Sequence, residues 1–234
     1  MPKIRLFFDK TLEEKKELEI IGEEFHYLCN VMRCNLGSVI SLFNGKDGEF
    51  TCELISKEKK KIILKVLKRA EYLKINNHFE LAFCPPKSQR LDFLIQKCTE
   101  LGVKSFSPVI SDHTLNRKIN LDRIKKIIKE AVEQSNQIYI PEINEPTSFD
   151  KYTSNNKKIF FADIQSETKF SDLKSRSDSL NSSIFIGPEG DFSSKEINIL
   201  RERKNCISFS LGPRILRSET AAIASLVLFN NLKN

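Results

Sequence analysis

The sequence has no tryptophan, two methionines, and no Cys-x-x-Cys pair among its six cysteines. Cys29, Cys34, Cys52, Cys84, Cys98 and Cys206 are scattered through mostly apolar stretches with no group of histidines nearby. That distribution argues against zinc and for small buried thiols in a reducing compartment, so metal catalysis is not expected. No run of about 18 uncharged apolar residues occurs, and the first residues hold no apolar stretch of leader length. The expectation is a soluble, cytoplasmic protein with no membrane partner and no metal. Neither Gly-x-Gly-x-x-Gly nor Gly-Lys-Ser/Thr is present, which argues against a dinucleotide fold and a P-loop. Seventeen phenylalanines without a tryptophan read as core, with Phe7 or Phe8 the only candidates for stacking on a base.

What is present in excess is positive charge. Thirty-eight Lys and Arg stand against 31 acidic residues, a formal net charge of +7, which favours a polyanionic partner. The chain of 234 residues can bury one large core or two smaller ones. Its first 70 residues read as short strands: 39–43, a turn at Asn44-Gly45-Lys46-Asp47-Gly48, an alternating run through Phe50, Cys52 and Leu54, and a third run over 62–67. Residues 23–32 read as a short helix with His26 packed on its apolar face. A small barrel over 1–70 is the expected architecture.

Residues 71–78 are polar and aperiodic, and the linker is placed there. From 79 onward the pattern alternates. Strands are expected at 79–84, 105–110, 158–162, 183–186 and 206–211. Between them lie helices carrying Leu91, Leu94, Ile95, Cys98 and Leu101, then Leu121, Ile124, Ile127, Ile128, Ala131 and Val132, and a capping box at Ser193 and Glu196. This is an α/β domain over 79–234 with a mainly parallel sheet. The last helix, 220–232, is apolar on nearly every face, so either the domain surrounds it or a second subunit covers it. The polar stretch 166–183 reads as a mobile loop.

In parallel sheets ligands sit at the carboxyl ends of strands, and two unusual loops lie there. They are Gly187-Pro188-Glu189-Gly190-Asp191-Phe192 and Leu211-Gly212-Pro213-Arg214-Ile215-Leu216-Arg217-Ser218-Glu219-Thr220. Glycine permits close backbone approach and proline stiffens the turn, so backbone amides and carbonyls can read an adenine edge.

Together with Ala221 these loops resemble those of the RsmE family, the 16S ribosomal RNA uridine N3-methyltransferases of the SPOUT superfamily. Ile4-Arg5-Leu6-Phe7, His26 with Val31-Met32-Arg33, Gln96-Lys97-Cys98-Thr99-Glu100-Leu101-Gly102 and Glu133-Gln134-Ser135 are also similar. The resemblance implies an N-terminal PUA-like RNA-binding barrel, a C-terminal domain tied in a trefoil knot, and a homodimer with the knot at its interface. It implies an S-adenosylmethionine pocket built from Ala162, Asp163 and Ile164, from Gly187, Pro188, Glu189 and Gly190, and from Leu211, Gly212, Ile215, Leu216, Thr220 and Ala221. Two departures are visible: Asp191 stands where members have a second glycine, and Asn136-Gln137-Ile138-Tyr139 replaces a more basic, glycine-containing stretch.

Uridine N3 must lose its proton before it attacks a methyl group. Arg217, with Arg214, is expected to stabilise the resulting negative charge. Glu189 or Glu219 is expected to accept the proton, the alternatives being a turn cap and a helix-dipole charge. For Arg217 the alternative is a salt bridge to Glu219 or Glu189. Arg5 and Arg33 are the expected phosphate contacts on 16S ribosomal RNA or the small ribosomal subunit, whereas the run Lys57, Lys59, Lys60 and Lys61 reads rather as a solvated strand end. Two other functions compete: a SPOUT methyltransferase acting on a different ribosomal or transfer RNA nucleotide, and an RNA-binding protein without catalysis.

Overall fold

The computed structural model describes residues 4–70, 79–168, 172–173 and 182–232. The expected linker, 71–78, and most of the polar stretch 166–183 lie outside them. The chain forms two compact units, Met1–Ile75 with Val132–Ile140, and Asn76–Ala131 with Pro141–Asn234. The first unit therefore takes in a later piece of chain that the expected 1–70 boundary left out.

The first unit is a five-stranded sheet in the order β1 (Arg5–Phe7), β3 (Val39–Asn44), β4 (Gly48–Lys57), β5 (Lys61–Arg69), β2 (Glu17–Ile21). β3, β4 and β5 form the expected hairpins, and β1 joins β3 in parallel. Register shifts at Thr51/Cys52 and Leu54/Ser56 curl the β4–β5 ladder around a core of Leu6, Ile20, Ile40, Leu42, Leu54 and Leu64. Among the described residues β1 and β2 are the outer strands and do not pair with each other. β2, with Ile20 and Leu18 facing inward between Glu17, Glu19 and Ile21, is an alternating run that the pattern reading passed over. The helix at 23–32 is split into α1 (Gly22–His26) and a π-helical turn, Tyr27–Val31. That turn buries Leu28 and Cys29 and leaves His26 exposed, bonded to Asn30 at 2.8 Å, rather than packed as expected.

One buried side chain fastens 132–140 to this sheet. Arg5 is only 9% exposed; its guanidinium donates to both carboxylate oxygens of Glu49 (3.1 and 2.9 Å) and to the carbonyls of Val132, Glu133 and Gln137 (3.2, 2.9 and 3.0 Å). It also lies 4.4 Å from the centre of the Phe43 ring, and the Phe7 amide donates to Glu133 Oε1. The motifs at 4–7 and 133–135 are thus two halves of one network. Arg5 is consumed internally, which corrects its expected role as a phosphate contact. Asn136 adopts a left-handed conformation (φ 59°), which favours glycine and which asparagine also tolerates.

The second unit is a sheet in the order β12 (Cys206–Phe209), β10 (Lys158–Ala162), β11 (Ser182–Ile186), β6 (Glu80–Phe83), β7 (Ser105–Ile110), β8 (Glu142–Ile143), with β9 (Thr147–Ser148) also on β7. Every pairing is parallel. β6 and β11 are buried at every position, the mark of strands covered on both faces. The helices are α2 (Ser88–Glu100), α3 (Leu121–Gln134), α4 (Phe149–Thr153), α5 (Ser194–Glu202) and α6 (Ser218–Asn231). Gly102, at φ 77°, ends α2, and Ser193 with Glu196 forms the expected capping box. After β11 the chain passes β10 to add β12 at the far edge, then α6 doubles back onto β11 and α2. A knotted C-terminal segment requires such a path. Phe229 of α6 packs against Phe79, Phe160 and Phe209 at 5.2, 4.9 and 5.1 Å between ring centres.

Burial pushes the Glu49 carboxyl up, and the hydrogen bonds and charge of Arg5 more than reverse this, so it titrates below the ordinary glutamate range. Its contribution is present above the unfolded glutamate pKa of about 4.3 and is lost as pH falls through the lower folded value. Replacing Arg5 with Ala leaves Glu49 buried without its cation, and is expected to cost about 3 kcal/mol at neutral pH. Denaturant titration of the full chain checks this, and the gap between wild type and variant should narrow below about pH 4.

Candidate active site

The site follows from register. Ala162 lies level with Phe209 on one side, and Phe161 lies level with Phe185 on the other. Three loops therefore begin at the same height on adjacent strands: Asp163 after β10, Gly187 after β11 and Ser210 after β12. Two strand spacings, about 10 Å, separate the outermost. All three stretches expected to form the cofactor pocket are thus at one edge of the second unit.

Each loop has its own local cause. In the β11 loop, a Cβ on Gly187 would meet Phe192 Cε2 at 2.9 Å, so the ring that packs on Phe185 (5.0 Å) and Phe149 (5.8 Å) requires glycine there. Pro188 O accepts from the Asp191 amide at 3.0 Å, closing the turn. Asp191 is left-handed (φ 61°), a conformation that favours glycine, and its carboxylate accepts the Phe192 amide at 2.8 Å. Aspartate at this position adds that bond to the turn. In the β12 loop, Gly212 turns at φ 103° with no atom within 4 Å of where a Cβ would be. Ile215 is 91% exposed beside the half-buried Leu211 and Leu216, an apolar ledge on the loop.

The charged residues separate into engaged and open groups. Asp163 is buried, and its Oδ2 accepts two bonds from Arg201 of α5 at 3.1 and 2.7 Å while Oδ1 accepts the Gln165 amide at 2.9 Å. Glu189 pairs with Arg90 of α2. Neither Arg214 nor Arg217 makes an ion pair or side-chain hydrogen bond among the described residues, and both are exposed. The alternative expected for Arg217, a bridge to Glu189 or Glu219, is not formed. Glu219, in the first turn of α6, is 8% exposed, and the one bond shown for its carboxylate is a 3.5 Å contact from Ser218 Oγ. Thr220 is exposed and Ala221 buried.

Arg90, His113 and Arg201 were not legible as site residues. His113 Nδ1 lies 3.2 Å from Gly190 O and 2.9 Å from Asp191 O. The position of Arg90, six residues before the stretch at 96–102 on the same helix, is the available signal. In the first unit, Arg33 is exposed in a left-handed conformation (φ 55°) beside the exposed Val31, Met32 and Leu36. Arg33 makes no ion pair among the described residues, whereas Lys57 donates to Cys34 O at 2.8 Å and Lys61 bridges Glu19 and Glu58.

S-adenosylmethionine joins an adenosine to a sulfonium and an amino-acid carboxylate. The residues present suit it. Leu211, Ile215 and Leu216 offer an apolar surface, glycine-bearing turns offer backbone groups, and the open amides at the start of α6 offer anion donors.

Residues 74–230 match the family described as RNA methyltransferase domain, and residues 20–67 match the RNA methyltransferase PUA domain. Ribosomal RNA small subunit methyltransferase E of Rickettsia conorii is 32% identical over 228 residues, covering 95% of this chain and 93% of the relative. The Bacillus subtilis protein of the same name is 32% identical over 241 residues, covering 95% and 94%. The crystal structure of the Neisseria gonorrhoeae protein of that name, bound to S-adenosyl methionine, superposes with a TM-score of 0.85 at 26% identity, covering 98% of this chain and 97% of that one.

The two turn positions make opposite predictions. Gly187→Ala drives a methyl into the Phe192 ring and is expected to destabilise by about 2 kcal/mol. Asp191→Gly relieves the left-handed strain while losing one bond and should be near neutral, whereas Asp191→Ala should cost about 1 kcal/mol. Thermal unfolding of the three variants distinguishes these outcomes.

Proposed function

Because the chain belongs to the RNA methyltransferase family that includes ribosomal RNA small subunit methyltransferase E, we propose that it methylates N3 of a uridine in 16S ribosomal RNA, with S-adenosylmethionine as donor. The observation that carries this reading is the level register of β12, β10 and β11, which sets Asp163, Gly187 and the 211–221 loop at one edge.

Bound between these loops, S-adenosylmethionine supplies an electrophilic methyl group. The protein's own residues prepare the acceptor. Glu219 takes the N3 proton: it is buried and uncommitted to a cation, whereas Glu189 is held by Arg90. Arg217, at the N-cap of α6, and Arg214 place positive charge beside the uracil oxygens, where the negative charge left by the proton resides. Both guanidiniums can do so because no carboxylate among the described residues neutralises them. Arg33 and its apolar surroundings present the first unit's surface to the RNA backbone. Asp163 acts on the pocket through the backbone it fixes, since its carboxylate is engaged by Arg201.

The protein is proposed to act in the cytoplasm as a homodimer. One face of α6 is buried in the core through Ala222, Ser225, Leu226 and Phe229, and the opposite face, with Ala224, Val227 and Leu228, is left partly exposed. A second copy covering that face would complete burial of a helix that is apolar nearly all round.

Arg217→Ala is expected to reduce methyl transfer at least a hundredfold while calorimetry still detects S-adenosylmethionine binding. Full turnover in the variant removes Arg217 from the chemistry. Mass spectrometry of ribosomal RNA from cells lacking the protein should show loss of one N3-methyluridine from the small subunit; an unchanged set of methyluridines sinks the substrate assignment.

A further inference from the structure

The loop after β11 is gripped from two neighbouring strand ends. Arg90, in the first turn of α2 after β6, pairs with Glu189. His113, in the loop after β7, sets Nδ1 between the carbonyl oxygens of Gly190 and Asp191. Carbonyl oxygens only accept, so Nδ1 carries the proton and donates to both. These contacts address three consecutive residues, Glu189, Gly190 and Asp191.

The base under His113 is itself fixed. Ser111 donates its amide to Thr114 Oγ1 at 2.8 Å, and their hydroxyls meet at 2.8 Å. The Asp112 amide donates to Glu196 Oε1 at 2.9 Å, and Ser193 Oγ donates to Asp112 Oδ2 at 2.7 Å. The 111–114 turn is therefore joined to the capping box of α5, the helix that follows the gripped loop. A loop with one left-handed residue has accessible alternatives, and contacts to its side chain and carbonyls select one of them.

We propose that Arg90 and His113 are positioning residues that hold residues 189–191 in the shape that receives the methyl donor. This rests on the reading of that loop as part of the donor pocket. Arg90 keeps the Glu189 carboxylate turned to α2, and His113 fixes the direction of two carbonyls. The backbone at Gly187 and Gly190 is then preorganised before the donor arrives.

Two measurements on the full-length protein test it. In calorimetry with S-adenosylmethionine, Arg90→Ala and His113→Ala should each weaken binding roughly tenfold, because a smaller fraction of molecules holds the competent loop. Arg90→Lys should recover most of the affinity, and the swap Arg90→Glu with Glu189→Arg should bind better than either single variant. In the ligand-free protein, hydrogen exchange of the 187–193 peptide should speed up in the two alanine variants while exchange over α3 stays as in wild type. Wild-type affinity and unchanged exchange in both alanine variants overturn the clamp. Failure of the wild type itself to bind S-adenosylmethionine overturns the pocket reading instead. Faster exchange spread over the whole domain marks Arg90 and His113 as general supports and also overturns the proposal.

Discussion

Parallel pairing of β10 with β11 on one side and β12 on the other is the constraint from which the site follows. In an antiparallel arrangement adjacent strands end at opposite edges, and the 163, 187 and 211–221 loops would face different solvent. Parallel order needs crossovers and apolar faces on both sides, which the second unit supplies with α4 and α5 and with phenylalanines at 160, 161, 185 and 209. The long route taken after β11, past β10 and back through α6, is what delivers the last loop to the same edge. The fold's most unusual path and its candidate chemistry have one origin.

Within that edge, charge is distributed by burial. The carboxylates with cations, Asp163 on Arg201 and Glu189 on Arg90, shape backbone. The groups left open, Arg214, Arg217 and Glu219, all belong to the loop that enters α6. A buried carboxylate without a counter-ion is costly unless local dipoles favour it, and the first turn of a helix does so. Glu219 therefore sits where the helix dipole offsets part of the cost of burying a carboxylate. Arg217 and Arg214 lie two and five residues before it, so these three charged groups share the turn into α6.

Much of this was legible in the chain. β7 and β10 fall on the expected residues, the capping box of α5 is as read, and the paired Gly-Pro loops follow strands of the parallel sheet as expected. What escaped had physical reasons. Arg5 looked like a surface cation because charge alone does not reveal burial; its partners, Glu49 and three backbone carbonyls, are 44 to 132 residues away. His26 looked packed because an α-helical wheel was assumed, and a π-helical turn shifts the face by one residue every turn. His113 and Arg90 act on backbone carbonyls and one carboxylate of a distant loop, contacts that leave no local pattern. β8 and β9 are two residues each, shorter than any periodicity can register.

The cysteines show the same logic in a group with no role at the site. Burial raises the thiols of Cys52 and Cys84 to about 12, and that of half-buried Cys206 to about 11. A thiol held this far above neutrality stays protonated there, so these side chains serve as small apolar fillers.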